Sequence, residues 1–293
     1  MAVASVERVG FIGLGIMGRP MAGHLLNAGF ALTVHSRSPG PVDELVEAGA
    51  ADAGSPAEVA AASDIVITML PDTSDVELVL FGPQGVASSA EPASLVIDMS
   101  SIDPIPTRAF AERLADQSVD MLDAPVSGGE KGAIDAALSI MVGGSPDGFL
   151  RASPVLGAMG KSIVHIGPSG AGQVAKACNQ LVVAATIEAV AEALVLAGRA
   201  GVDAAKVREA LLGGFAGSKI LEVHGQRMLD RAFDPGFRAR LHRKDARIVR
   251  EAATQVGAPI PAFEVVARQL DELVAEGGGE LDHSALFTLL DRA

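Results

Sequence analysis

Short apolar runs separated by amphipathic stretches mark the chain as far as Gly167. The runs are Val6–Ile12, Ala31–His35, Asp64–Leu70, Leu95–Asp98, Met121–Asp123, Leu138–Val142 and Ile163–Ile166. Each is too short for an ordinary helix and rich in Val, Ile and Leu, as expected of strands buried on both faces. The stretches between them carry apolar residues at helical spacing, as in the RPMAGHLLNAG that follows Gly18. Strands alternating with helices predict an α/β fold with a doubly wound, mainly parallel sheet and ligands at the carboxyl ends of its strands. Beyond Gly172 the strand signals stop. Helical patterns occupy 203–213, 217–231, 241–256, 262–276 and 283–291, with Asp203, Ser218 and Asp282 at cap positions and Pro261 in a first turn. The chain therefore reads as a sheet domain over 1–168 and an all-helical domain over 169–293.

The second domain opens on a single long helix, predicted over about 171–200. No Pro or Gly interrupts it between Gln173 and Ala197, and Leu181–Ala197 is apolar nearly all round, apart from Thr186, Glu188 and Glu192. Such a helix is buried on several sides, so packing between domains or subunits is expected, with a homodimer or homotetramer as the assembly. Glu188 and Glu192 cut the apolar run short of the ~20 residues a membrane span needs, so no membrane is expected. The polar exceptions lie near its start. Lys176, Asn179 and Gln180 have the i, i+3, i+4 spacing of one helical face, where an amine and two amides suit a small oxygen-rich molecule.

Composition narrows the partners. The formal net charge of −13 speaks against nucleic acid and anionic membrane surfaces. With no Trp or Tyr, the core must be aliphatic. The single cysteine, Cys178, excludes an intramolecular disulfide and a multi-cysteine metal centre, and its apolar neighbours suggest a small core residue. The six histidines are scattered without ligand spacing, so no metal is expected. No basic region precedes a long apolar run at the N-terminus, which argues against a signal peptide and for the cytoplasm.

The first strand runs straight into Gly13-Leu14-Gly15-Ile16-Met17-Gly18, a G-x-G-x-x-G pattern between a strand and a helix. In that setting the glycines serve a tight turn, close approach to a pyrophosphate and close helix packing, and the phosphates rest on the helix N-terminus. This is the dinucleotide-binding signature of a Rossmann fold. After the second strand, where an NAD site carries an acidic residue for the ribose, the chain has Ser36, Arg37 and Ser38. Hydroxyls and a guanidinium suit a 2′-phosphate, so NADP(H) is favoured, with NAD(H) as the alternative. Leu70, Pro71, Ser100 and Ser101 follow later strands and are candidate cofactor contacts. Ser127-Gly128-Gly129 exposes successive backbone N–H groups, a nest suited to a carboxylate, and no His–acid pair nearby suggests a serine nucleophile.

Read in order, GFIGLGIMGRPMAGHLLNAG, DAPVSGG, LSIMVGG, GAGQVAKACNQ and HRKD resemble the β-hydroxyacid dehydrogenases over nearly the whole chain. The stretches GGFAGSKIL, FDPGFRARLHRKD and LDHSAL resemble the branch that reduces 2-hydroxy-3-oxopropionate (tartronate semialdehyde) to glycerate. The resemblance implies that Lys176 is the catalytic general acid/base and that Ser127, Gly128 and Gly129 hold the substrate carboxylate. It implies that Lys244 lies near cofactor and substrate, and that Ser101 or its neighbour Ser100 touches the cofactor. Many members place Asn four residues after the lysine, where this chain has Gln180, so either Asn179 or Gln180 meets the substrate. A 3-hydroxyisobutyrate dehydrogenase or another short-chain semialdehyde reductase is the alternative within the family. A non-catalytic dinucleotide-binding module is the alternative outside it, and the retained lysine and intact Ser-Gly-Gly loop speak against that.

Overall fold

The computed structural model describes residues 7–292 apart from Ala93. Val6, the first residue of the predicted opening strand, lies outside the described residues. The strands are β1 (Arg8–Ile12), β2 (Ala31–His35), β3 (Ala51–Asp52), β4 (Ile65–Thr68), β5 (Leu95–Asp98), β6 (Asp120–Asp123), β7 (Val126–Ser127), β8 (Leu138–Gly143) and β9 (Gly160–Gly167). They form one sheet in the order β3-β2-β1-β4-β5-β6-β8-β7, with β9 beside β8. Pairing is parallel from β3 to β6, and β8 runs antiparallel to both β6 and β7. The two-residue strands β3 and β7 leave no apolar run in the sequence, so its hydrophobic pattern does not predict them.

Helices α1 (Gly18–Asn27), α2 (Pro39–Glu47), α3 (Pro56–Ala61), α4 (Thr73–Phe81), α5 (Pro104–Ala115) and α7 (Pro146–Gly157) occupy crossovers between parallel strands, and α6 (Gly129–Ile134) links the antiparallel β7 and β8. Period-two alternation divides the strand side chains between two cores, as a sheet covered on both faces requires. Val9, Phe11, Ile65, Ile67, Leu95 and Ile97 join one core with Met21 and Leu25 of α1. Ile12, Val66, Val96 and Met121 join the other with Val76 and Leu80 of α4 and Phe110 and Leu114 of α5.

The chain divides into two compact units, Met1–Lys176 and Ala177–Ala293, so the division falls inside the long helix α8 (Ala171–Arg199) and not ahead of it. The second unit continues with α9 (Ala204–Leu212), α10 (Lys219–Asp230), α11 (Ala239–Val256) and α12 (Pro261–Ala275). The last predicted helix is a 3₁₀ turn, His283–Leu286, followed by the short α13 (Phe287–Leu290). Asp203, Ser218 and Asp282 accept backbone N–H bonds as caps, and Pro261 opens α12. By composition α8 is apolar enough to cross a membrane, yet Ala184, Ile187, Ala191 and Leu194 belong to the core of its own unit. Phe263 and Phe287 share that core and Phe11 is buried in the sheet domain, so the cores are not purely aliphatic as the lack of Trp and Tyr suggested.

Burial along α8 follows the helical period, and this corrects one expectation. Ala177, Gln180, Ala184, Ile187, Glu188, Ala191 and Leu194 are buried. Cys178 falls on the opposite flank with Val174, Val182 and Leu196 and is exposed, so it is not a core residue.

Candidate active site

The site starts from sheet register. His35 pairs with Ile12, Ile12 with Thr68, Thr68 with Asp98 and Asp98 with Asp123. These residues form a row across the carboxyl end of the parallel sheet. The loops that leave it carry the residues expected to bind cofactor: Gly13–Gly18 after β1, Ser36–Ser38 after β2, Leu70–Pro71 after β4 and Ser100–Ser101 after β5. Strand order turns at β1, whose neighbours are β2 and β4, and ligands bind at such switch points.

The glycine loop has the shape its spacing implies. Gly13 has φ +100°, and a Cβ there would lie 2.3 Å from the carbonyl oxygen of Met69. A Cβ on Gly18 would lie 1.9 Å from the carbonyl oxygen of Gly13, so α1 packs directly on the turn. A Cβ on Gly15 meets nothing within 4 Å, which leaves the middle of the loop open to a ligand. Leu14 is buried beneath, Ile16 is 53% exposed, and Met17 opens α1 with no side-chain cap. Open space over an uncapped helix start fits a pyrophosphate.

After β2, the Arg37 side chain is 82% exposed, and its Nη2 lies 3.7 Å from Asp75 Oδ1. Ser38 occupies the N-cap of α2 without capping it, and its backbone N–H donates to Ser36 Oγ at 3.4 Å.

The two serines after β5 separate. Ser100 is fully buried, and its Oγ accepts the Leu70 N–H at 2.9 Å, so it shapes the loop and is not presented to a ligand. Ser101 is partly exposed and is the better placed of the two. Ser127, Gly128 and Gly129 form a turn in which Gly128 and Gly129 have φ +137° and +61° and are at least partly accessible.

Lys176 is almost buried, at 9% exposure, and closes the first unit. The start of its helix is held by polar groups that motif spacing does not single out. Asp123 accepts the N–H groups of Gly170 at 2.7 Å and Gln173 at 2.9 Å. Burial pushes the Asp123 carboxyl up to about 6; the Gly170 and Gln173 bonds oppose the shift, and nearby Asp98 adds to it. Asp123 opens the DAPVSGG stretch and Gln173 lies in GAGQVAK, so both stand in motifs whose pattern alone gives them no role.

A second polar network lies in the second unit. Asn179 Nδ2 donates to Gln180 Oε1 at 2.8 Å, and Gln180 Nε2 donates to Asp245 Oδ2 at 2.5 Å. Lys244 Nζ lies 2.9 Å from Asp245 Oδ1. Gln180 is thus buried with both ends of its amide engaged, whereas Asn179 is partly accessible and retains its carbonyl oxygen. Asp245 is the third member that spacing alone does not identify.

Two family models cover the chain. That for the NAD-binding domain of 6-phosphogluconate dehydrogenase matches residues 8–167, and that for the NAD-binding domain of NADP-dependent 3-hydroxyisobutyrate dehydrogenase matches 170–290. The chain is 47% identical to the 2-hydroxy-3-oxopropionate reductase of Escherichia coli over 97% of both chains. It is 38% identical to the 3-hydroxyisobutyrate dehydrogenase of Pseudomonas aeruginosa, over 96% of this chain and 97% of that one. The chain belongs to the β-hydroxyacid dehydrogenases. A solved structure of the 3-hydroxyisobutyrate dehydrogenase of Mycobacterium tuberculosis with L-serine has a TM-score of 0.90 at 35% identity, covering 98% of this chain and all of that one. As a β-hydroxyacid dehydrogenase, the protein is an NAD(P)-dependent oxidoreductase.

In this dehydrogenase three of the six histidines, which the sequence shows as scattered, come together. His283 Nδ1 lies 2.9 Å from His242 Nδ1, and His283 Nε2 lies 3.2 Å from His224 Nε2. His224, Asp282 and His283 offer ligand atoms within 4.8 Å of one another. The Asp282 oxygens, however, are taken by the N–H groups of Gly236, Phe237 and Ser284, the Ser284 hydroxyl and the Arg227 guanidinium. A carboxylate so filled, with a cation beside it, reads as a structural staple.

Proposed function

We propose that this dehydrogenase reduces 2-hydroxy-3-oxopropionate to glycerate, reversibly and with NADPH favoured over NADH. What supports the reading most is the likeness to the Escherichia coli reductase, 47% identical over 97% of both chains. The bound nicotinamide supplies or accepts the hydride. Lys176 as an ammonium stabilises the negative charge that gathers on the carbonyl oxygen and gives it a proton. Ser127, Gly128 and Gly129 bind the carboxylate through backbone N–H groups and the hydroxyl. Asn179 meets the substrate, while Gln180 orients Asn179 and is itself held by Asp245. Lys244, anchored on Asp245, adds positive charge for cofactor and substrate. Gly13–Gly18, Ser36–Ser38, Leu70, Pro71 and Ser101 hold the dinucleotide. The protein acts in the cytoplasm as a homodimer or homotetramer.

Lys176→Ala should lower kcat by roughly 10²–10⁴-fold, the range for general acid–base groups, and leave NADPH binding nearly intact. A loss of only a few-fold removes Lys176 as the acid. Side-by-side rates on tartronate semialdehyde and methylmalonate semialdehyde separate this reading from a 3-hydroxyisobutyrate dehydrogenase, whose best substrate would be the second.

A further inference from the structure

Helix α8 begins with backbone N–H groups that have no partner inside the helix, and their placement decides where Lys176 stands. Two of them, on Gly170 and Gln173, are taken by the two oxygens of Asp123, itself 1% exposed at the end of β6. The Gln173 side chain, also 1% exposed, reaches the neighbouring loop with both ends of its amide. Its Oε1 accepts the Ile102 N–H at 3.1 Å, and its Nε2 donates to the Ser100 carbonyl at 2.8 Å. Ser100 is in turn tied by its hydroxyl to the Leu70 N–H and by its own N–H to Asp98 Oδ1, which also accepts the Thr68 hydroxyl. The seat is also sterically tight. A Cβ on Gly172 would lie 2.4 Å from the Met141 carbonyl oxygen and 2.6 Å from that of Asp123.

We infer that Gln173 and Asp123 are positioning residues, which fix the register of Lys176 against the loops after β4 and β5 that carry Leu70, Pro71 and Ser101. The inference rests on the reading of Lys176 as the catalytic acid. Lys176 follows Gln173 by three residues, just under one turn, so any slip or rotation of the first turn passes directly to the amine. A displacement near 1 Å in such a group costs on the order of 10²-fold in rate. An apolar residue at 173 would fill the space but leave a buried N–H and a buried carbonyl unpaired, and the first turn of α8 would be free to shift against a loop that Ser100 still holds through Leu70 and Asp98.

The test is a double-mutant cycle on the full chain, with turnover of tartronate semialdehyde and NADPH binding by fluorescence titration as separate readouts. Gln173→Met should lower kcat at least roughly tenfold and change the NADPH dissociation constant and the substrate KM by less than about threefold. In a Lys176→Ala background the same substitution should change the residual rate less than about twofold, because there is no amine left to misplace. Gln173→Glu adds a pH readout. Its carboxylate cannot donate to the Ser100 carbonyl, whereas its protonated form can, so its kcat relative to wild type should rise as pH falls. Asp123→Asn can accept only one of the two helix N–H bonds and should resemble Gln173→Met. Equal losses in both lysine backgrounds, or an unchanged kcat in Gln173→Met, overturn the inference. Should Gln173→Met fail to fold, a Gln173→Glu enzyme whose relative kcat ignores pH overturns it instead. Lys176→Ala with nearly full activity refutes the functional reading first, and leaves nothing for the pair to position.

Discussion

At the scale of single residues, cofactor choice rests on the loop after β2. Ser36, Arg37 and Ser38 stand where a ribose-binding carboxylate would discriminate against a 2′-phosphate. Arg37 is mostly exposed and its nearest acid, Asp75, is at 3.7 Å, a weak hold that leaves the guanidinium available to a phosphate. Arg37→Ala should cut the NADPH-over-NADH ratio of kcat/KM by roughly 10- to 100-fold, the equivalent of one charge-assisted hydrogen bond. Ser36→Asp should reverse the preference by repelling the phosphate and holding the ribose hydroxyls. A wild type that prefers NADH, or a ratio indifferent to both substitutions, means this loop does not read the phosphate. The glycines of the first loop were legible in the sequence because each obeys a local constraint. Ser100 and Ser101 were not separable there, since only the Leu70 bond shows which of them is spent inside the protein.

At the scale of elements, α10, α11 and the 3₁₀ turn after Leu281 meet through His224, His242 and His283. Each nitrogen–nitrogen contact needs one N–H and one lone pair, so a neutral His283 can serve both neighbours while a protonated one offers N–H on both sides. Burial holds the His283 pKa well below its usual value; His242 depresses it further and Asp282 opposes. The unfolded chain therefore takes up a proton that the folded one refuses. This contribution to stability is complete above the ordinary histidine value of about 6.5 and is lost as pH falls below it, at no more than about 1.4 kcal/mol per pH unit. Asp282 would be raised by burial, but bonds from His224 and Ser284 outweigh that and hold it low, so its own loss begins only in the acid range. Asp123, pushed up to about 6, has the opposite sign, since its protonation favours the folded state as pH falls. The comparison with His283→Gln removes that background. Thermal melts between pH 7.5 and 5 should show a steeper loss in wild type than in the variant, and parallel curves would refute the assignment.

At the scale of the whole molecule, α8 presents a second apolar face. Val182 and Leu196 are 59% and 71% exposed, and Ala189 between them is also exposed, at spacings of two helical turns. Water contact over such a stripe is unfavourable, and a second copy of the chain is the occupant that the proposed assembly supplies. The protein should sediment as a dimer or tetramer at micromolar concentration, and Val182→Glu combined with Leu196→Glu should shift it toward monomer. A compact monomeric wild type would contradict the proposed assembly.

The sequence by itself determined the order of the longer elements, the mainly parallel sheet, the dinucleotide loop and the position of Lys176 near the start of the long helix. All of these are written in short-range pattern: strand and helix periods, glycines that a turn or a close approach demands, and caps a few residues from the helices they start. Asp123 meeting Gly170 and Gln173, Gln180 meeting Asp245, and three histidines from three elements meeting one another depend on register between segments tens of residues apart. No local spacing encodes that. The outward turn of Cys178 is a similar case. A helix apolar all round does not say which of its sides its own chain covers, and only the packing of the elements after it chose the side that holds Ala184, Ile187, Ala191 and Leu194.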